Sequence, residues 1–391
     1  ASGLTCIKQC LADNLEPVCF EASSNTAGLW RYTEVDEENK DPHSSIYKSV
    51  VINTSHHRYP RLPKYKGMNK FKGIQIHSHF YREPTNFKDK RVVIVGCGNS
   101  GMDISVELSG NTSQAYICTR QGTLPLIVPR LVNGKPIDHK FSRFYVTWVP
   151  QFIQDHIIKI ISKTTIGLPP PGLEPKNKPS NCHPTIKTDF YERLSTGTLI
   201  VKPDISQLNE DGSIEFVDGT KIEKIDAIIY STGYQIKYPF LDKDIRMFPP
   251  KYPNIAFIGL VQLIGAIFPL SEMQARYVTS LIKGYIPQHP SISEMHKEIR
   301  KHQKLLQKRY YNAARYTIQG DYIPEIDSLA KDLGYYPYPF QIIKNYGFSL
   351  YLKVLFGIPN SFQYRLLGQQ SWNGAADAIR VYNDCEQSKI K

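Results

Sequence analysis

An α/β fold assembled from two strand–turn–helix units is what this sequence predicts, on three observations. The run Arg91-Val92-Val93-Ile94-Val95 is apolar and β-branched after its first residue, the pattern of a buried strand. It turns through Gly96-Cys97-Gly98-Asn99-Ser100-Gly101 into a helical stretch, Asn99 to Ser109, and Ala115 to Cys118 reads as the next strand, closing a βαβ unit. The chain opens on a similar pattern cut short: Ala1-Ser2-Gly3 leads into a helix to about Ala12, a strand over Glu16-Pro17-Val18-Cys19-Phe20, and then Glu21.

Residues 31–45 are polar and acidic and read as a loop, whereas Val50-Val51-Ile52 is a short apolar run. Residues 56–90 are rich in Pro, Tyr, His and Lys and show no sustained period. Beyond the βαβ unit, apolar residues recur at helical spacing from Phe141 to Ile161, interrupted at Pro150. This pair of helices reads as a core element, or as an apolar face at a bilayer interface with Lys159 and Lys163 toward acidic headgroups. A proline-rich linker follows, Leu168 to Pro179. Turns at Asp211-Gly212 and Asp218-Gly219 separate short strands. Ile225 to Tyr230 and Ile255 to Gly259 are further strand signals, and Ser291 to Tyr311 is a strongly charged helix.

Bulk properties narrow the class. With 391 residues, one large core or two to three smaller ones is expected. The 48 basic residues exceed the 36 acidic ones by 12, which favours anionic partners. The basic residues are scattered rather than striped, so a phosphate-bearing cofactor or acidic lipid suits them better than nucleic acid. Seven cysteines, irregularly spaced and without a C-x-x-C, indicate neither a zinc ribbon nor a dithiol redox centre, and suit a reducing compartment. No signal-peptide pattern is present, and no apolar run of about eighteen residues predicts a membrane span. The longest apolar stretch near the end, Tyr346 to Pro359, is interrupted by Lys353.

The glycine turn carries the chemistry. Gly96 permits a tight turn, Gly98 lets backbone approach a pyrophosphate, and Gly101 lets the helix pack on its strand. The helix N-terminus then offers N–H groups and positive dipole to phosphate. An NAD site wants a carboxylate about twenty residues on, to bond the ribose 2′-hydroxyl. This chain has Thr119-Arg120-Gln121 there, and a guanidinium suits a 2′-phosphate, so NADP is preferred over NAD. The plainer reading of Arg120 is a solvated loop arginine. In the N-terminal unit, Gly3 supplies a last glycine, and Glu21 suits an unphosphorylated ribose, as in FAD or NAD. The strand and leading glycines that should grip its pyrophosphate are not found.

Phe71, Gly73, His77 and Tyr81 fit F-x-G-x-x-x-H-x-x-x-Y. On physical grounds alone this is an aromatic- and His-rich loop. With the other motifs it matches the identifying motif of the vertebrate flavin-containing monooxygenases, the microsomal family that this chain resembles over nearly its whole length. Glu21 to Trp30, with Ala27-Gly28-Leu29-Trp30, is similar to that family's FAD segment, and Ile46 to Ser55 to its active-site strand and loop. Ser231-Thr232-Gly233-Tyr234 resembles its A-T-G-Y linker, and Ile258 to Gln262 and Tyr364-Arg365-Leu366 match later blocks.

The resemblance implies two dinucleotide-binding, Rossmann-like domains, with the NADP domain inserted in the FAD domain. Residues 1–85 would begin the FAD domain, 86–230 form the NADP domain with a helical insertion at about 130–190, and 231–391 complete the FAD domain and a C-terminal helical region. It places Ser2, Gly3, Glu21, Leu29, Trp30, Ile52, Asn53 and Thr54 with FAD, and Gly96, Gly98, Ser100, Gly101, Met102, Asp103 and Arg120 with NADPH. Asn53 would be the catalytic residue, an amide held between flavin and nicotinamide. The implied activity is oxygenation of a small lipophilic amine or sulfide by O2, through a flavin C4a-hydroperoxide, on the cytosolic face of the endoplasmic reticulum membrane. The chain departs from the family where its first strand, its leading FAD glycines, a long segment between Ser55 and His56, a shorter one near Phe248 to Pro253 and a hydrophobic C-terminal anchor are not found. It therefore reads as a fragment or variant product, for which the other expectation is an inactive relative that binds NADPH without stable FAD. A flavin disulfide reductase is disfavoured because it needs a C-x-x-C pair.

Overall fold

The computed structural model describes residues 2–19, 50–52, 57–120, 122–236, 247–250, 252, 255–286, 291–310 and 318–388. At its centre is a five-stranded sheet in the order Leu199–Lys202, Gln114–Cys118, Arg91–Val95, Ala227–Tyr230, Ile74–His77. Every neighbouring pair in it is parallel. Parallel sheets are covered on both faces, which is why Val92 to Val95 and Ala227–Tyr230 are continuously apolar and buried rather than alternating. Val92 and Ile94 pack one way, with Met102 and Leu108 of the Asn99–Ser109 helix and with Phe190. Val93 and Val95 pack the other way, with Phe71 and Phe216. That second face is covered by a three-stranded antiparallel sheet, Ile205–Leu208, Ile214–Phe216 and Lys221–Ile222. Its two turns are those expected: Gly212 and Gly219 have φ of 82° and 81°, and the preceding aspartates accept the Ser213 and Thr220 N–H groups at 2.9 and 3.0 Å.

Ile74–His77 corrects the reading of residues 56–90 as unpatterned. It is an edge strand of the main sheet, paired with Ala227–Tyr230, and so lies with the nucleotide sheet although it precedes residue 85. The strand expected over Glu16 to Phe20, of which Phe20 lies outside the described residues, is a correction in the opposite sense. Glu16 to Cys19 form no strand: Pro17 has no N–H to give a ladder, and Val18 is 63% exposed.

The rest of the chain encloses this sheet in sequence. Val50–Ile52 pairs in parallel with Ile255–Phe257, so the five-stranded sheet is inserted between two strands of another unit. On that unit the Ser2–Ala12 helix packs against the Ile267–Ile282 helix through Cys6, Cys10, Ala275 and Val278. The helical insertion is split at Pro150 into Arg143–Trp148 and Gln151–Thr165. Buried Arg143 ties it to the C-terminal helices: it pairs with Asp327 and donates to Gln363 Oε1 and the Tyr364 hydroxyl oxygen, each at 3.1 Å. The charged helix is Ile292–Arg309, started by a capping box between Ser291 and Glu294.

Candidate active site

The order of the main sheet reverses between Arg91–Val95 and Ala227–Tyr230, and ligands of open α/β sheets sit in the crevice beyond the strand ends at such a point. Gly96 leaves the first strand with φ 108°, and a Cβ there would lie 2.6 Å from the Ser231 carbonyl oxygen. A Cβ on Gly101 would drive into the Gly96 carbonyl. Around Gly98 nothing lies within 4 Å of where a Cβ would be. The turn is therefore closed on the protein side and open on the solvent side at one residue. Gly98 caps the helix without any side-chain bond, so first-turn N–H groups are left for an anion. Two buried hydroxyls at the crevice, Thr119 Oγ1 and Ser231 Oγ, have no hydrogen-bond partner among the described residues. The residues thus fit a dinucleotide: a cradle that a side chain would fill, a bare helix start and two orphaned polar atoms.

The expected NADPH residues divide on this geometry. Gly96, Gly98, Ser100 and Gly101 line the turn, and Ser100 is exposed beside it. Arg120 is exposed just beyond the end of Gln114–Cys118 and makes no hydrogen bond or ion pair among the described residues. Met102 turns away from the crevice: its side chain is fully buried in the core and its N–H donates to Gly98 O at 3.0 Å, because that helical position faces the sheet. Asp103 points to Lys187, with Nζ 3.4 Å from Oδ1. Thr119, Ser231 and Lys187 were not singled out as ligands by the sequence. Adjacency to Arg120 is the signal that could have found Thr119; nothing local marks Lys187.

On the flavin side, Ser2 and Gly3 start the first helix, with Ser2 Oγ 3.2 Å from Ser271 Oγ and against Gly259, which has no room for a side chain. Ile52 pairs with Phe257, two residues before Gly259, and its carbonyl accepts the Ile258 N–H at 3.1 Å. These three residues form one wall beside a parallel strand end. Glu21, Leu29, Trp30, Asn53 and Thr54 lie outside the described residues.

The aromatic–histidine motif ties the edge of the main sheet to the segment after Tyr230. Phe71 is buried under the sheet, and a Cβ on Gly73 would meet its ring. Tyr81 donates to Glu107 Oε2 at 2.8 Å. His77 Nδ1 accepts the His79 N–H at 3.0 Å, so its proton is on Nε2, which donates to Gly233 O at 3.0 Å. Tyr234, next in the linker, lies 5.2 Å ring to ring from His77 and 5.0 Å from His57. Burial pushes His57, His77 and His79 below the usual histidine range. A depressed histidine binds protons more weakly in the folded chain than in the unfolded one. Stability is therefore full above the ordinary histidine value of 6.5 and falls as pH drops below it. Thermal midpoints measured from pH 7.5 to 5.5 should fall for this protein and fall less for His77→Gln; equal slopes would contradict the assignment.

A family model described as flavin-binding monooxygenase-like matches residues 1–58 and 54–391. Flavin-containing monooxygenase 5 of Oryctolagus cuniculus is 32% identical over 492 aligned positions, covering 98% of this chain and 90% of that protein. Flavin-containing monooxygenase 3 of Rattus norvegicus is 34% identical, over 94% of this chain and 71% of that protein. Among solved structures, the fold is similar to S-allyl-L-cysteine S-oxygenase from Allium sativum, with a TM-score of 0.50, 21% identity, and coverage of 87% of this chain and 64% of that one. An open crystal structure of cyclohexanone monooxygenase gives a TM-score of 0.51 at 14% identity over 73% of each chain.

Proposed function

Because this chain belongs to the flavin-binding monooxygenase-like family, we propose that it is an NADPH- and O2-dependent monooxygenase that transfers one oxygen atom to a soft nucleophile, an amine nitrogen or a sulfide sulfur. Its relatives are enzymes, and the family's cofactors are FAD and NADPH. The observation that carries the reading is the glycine turn at the sheet's switch point, open only at Gly98 and flanked by exposed Arg120. When bound, the nicotinamide supplies a hydride and the flavin activates dioxygen. The N–H groups of the first helical turn bind the pyrophosphate, and Arg120 takes the 2′-phosphate. Ser231 and Thr119 offer hydroxyls to the same ligand. His77, through Gly233, fixes the linker that sets one cofactor against the other. Asn53 is assigned to the nicotinamide face, where an amide donates and accepts without acting as an acid.

A second reading is NADPH binding without stable flavin. It is favoured by the two-part family match, which meets at residues 54–58, and by 492 aligned positions against 391 residues. Turnover separates the two. With NADPH, isotopically labelled dioxygen and a tertiary amine or thioether, the product should carry one labelled oxygen for each NADPH consumed. Absence of labelled product from flavin-loaded protein would overturn the proposal.

The proposal extends to place: the cytosolic face of the endoplasmic reticulum membrane. Trp148, Phe152 and Phe340 are 70, 73 and 76% exposed, and Phe348 and Phe356 are also exposed. Phe144 and Phe356, with ring centroids 4.9 Å apart, join the helical insertion to the Phe348–Phe356 helix, which follows Pro339–Tyr346. Exposed Lys159, Lys163 and Lys344 share these helices, matching an anionic lipid surface. Among the described residues no helix is long and apolar enough to cross a membrane. The protein should sediment with anionic vesicles, and Trp148→Asp with Phe340→Asp should release it; indifference to the vesicles would refute the placement.

A further inference from the structure

We propose that Lys187 is an electrostatic positioning residue of the nucleotide site, neutralising Asp103 so that an anionic pyrophosphate can seat at the start of the helix that carries this carboxylate. The inference rests on the assignment of NADPH to the glycine turn. Asp103 is the fifth residue of the Asn99–Ser109 helix and is 56% exposed. A carboxylate so close to a helix N-terminus stabilises the empty helix through its dipole. Toward an incoming diphosphate it acts in the other direction, because like charges within a Debye length of about 8–10 Å repel.

The structure brings a cation to that carboxylate from far away in sequence. Residues 185–189 are seated directly on the glycine turn. Thr185 Oγ1 donates to Cys97 O at 3.3 Å, and the Ile186 N–H donates to Asn99 Oδ1 at 3.0 Å. The Ile127–Val128 strand pairs in parallel with Thr185–Ile186 and holds the segment from the other side. The next residue, Lys187, is only 20% exposed, and its Nζ lies 3.4 Å from Asp103 Oδ1 and 3.3 Å from Asp189 Oδ1. Arg130 lines the same crevice as Lys187, together with Leu131, Ile186 and Thr188. The charged groups against the ammonium are Asp103 and Asp189, with exposed Arg130 lining the same crevice. Partly exposed ion pairs contribute little to folding. A charge beside a bound phosphate acts on affinity instead, and its effect is screened by salt.

Calorimetric titration of the full chain with NADP+ at low and high salt tests this. Lys187→Met should weaken binding about tenfold at low salt, with the loss shrinking as salt rises. Asp103→Asn added to Lys187→Met should restore much of the affinity, because the carboxylate on the phosphate-binding helix itself is gone and only that of Asp189 remains uncompensated. Affinity of Lys187→Met within about twofold of the unsubstituted protein at low salt would overturn the proposal. So would a loss that persists at high salt and is not relieved by Asp103→Asn, the mark of a purely structural role. No NADP+ binding by the unsubstituted protein would overturn the nucleotide assignment itself, and the proposal with it.

Discussion

Gly101→Val is expected to reduce NADP+ affinity by at least about 100-fold, because a displacement of about 1 Å in a positioned group is enough for such a loss. Any side chain at this position collides with the Gly96 carbonyl. That carbonyl cannot retreat easily. Gly96 is held at φ 108°, its N–H donates to Cys118 O at 3.1 Å, and its Cα faces the Ser231 carbonyl. The helix start must move instead, and its N–H groups then no longer converge on one point. Gly98→Ala is the informative contrast. Its Cβ meets nothing in the protein, so the thermal midpoint should hold while the added methyl intrudes on the ligand's approach. NADP+ titration beside thermal denaturation separates the two effects: Gly101→Val loses affinity and stability together, whereas Gly98→Ala loses affinity alone. Full affinity in both variants would place the nucleotide elsewhere.

Arg143→Met is expected to destabilise the chain by about 3–5 kcal/mol, the usual cost of breaking a buried ion pair from one side. Arg143 is 6% exposed, and besides Asp327, Gln363 and Tyr364 it lies 5.6 Å from the centre of the Tyr336 ring. Its removal leaves the Asp327 carboxylate with the Tyr364 hydroxyl, which donates to it at 2.7 Å, but without a counter-charge. Replacing both partners, Arg143→Met with Asp327→Leu, should recover much of the loss, since an apolar pair of similar volume carries no desolvation penalty. Denaturant unfolding measures both. A single substitution that costs under about 1 kcal/mol would show that this cluster does not hold the helical insertion to the C-terminal helices.

Where sequence and structure agree, the signal is local. The Asn99–Ser109 helix has the expected bounds because a glycine turn starts it and a 3.6-residue apolar period continues it, and the break at Pro150 needs only a missing N–H. Ile74–His77 was illegible because half of it is polar. Its Gln75 Oε1 accepts the Tyr230 hydroxyl at 2.7 Å and its His77 donates to Gly233 O, so satisfied interior groups look like a loop in one dimension. Glu16 to Cys19 failed for the converse reason: residue types favour a strand, but a strand exists only with a partner. In the site, the three glycines could be read by type and spacing. The partners that close around them, Ser231 from another strand and Lys187 from the helical insertion, meet only through the fold. That Met102 faces the sheet was not legible, because adjacency to the motif says nothing about which face of the helix a residue occupies.

Under the proposed function, one chain holds a flavin and reduces it with a hydride from NADPH bound at the Gly96–Gly101 turn. Anaerobic addition of NADPH to the purified, FAD-supplemented protein tests it most directly. The visible flavin band should bleach with NADPH, much less with an equal concentration of NADH, and the preference should vanish in Arg120→Ala. A protein that binds NADPH yet retains no flavin, or a flavin band that NADPH leaves unchanged, would contradict it.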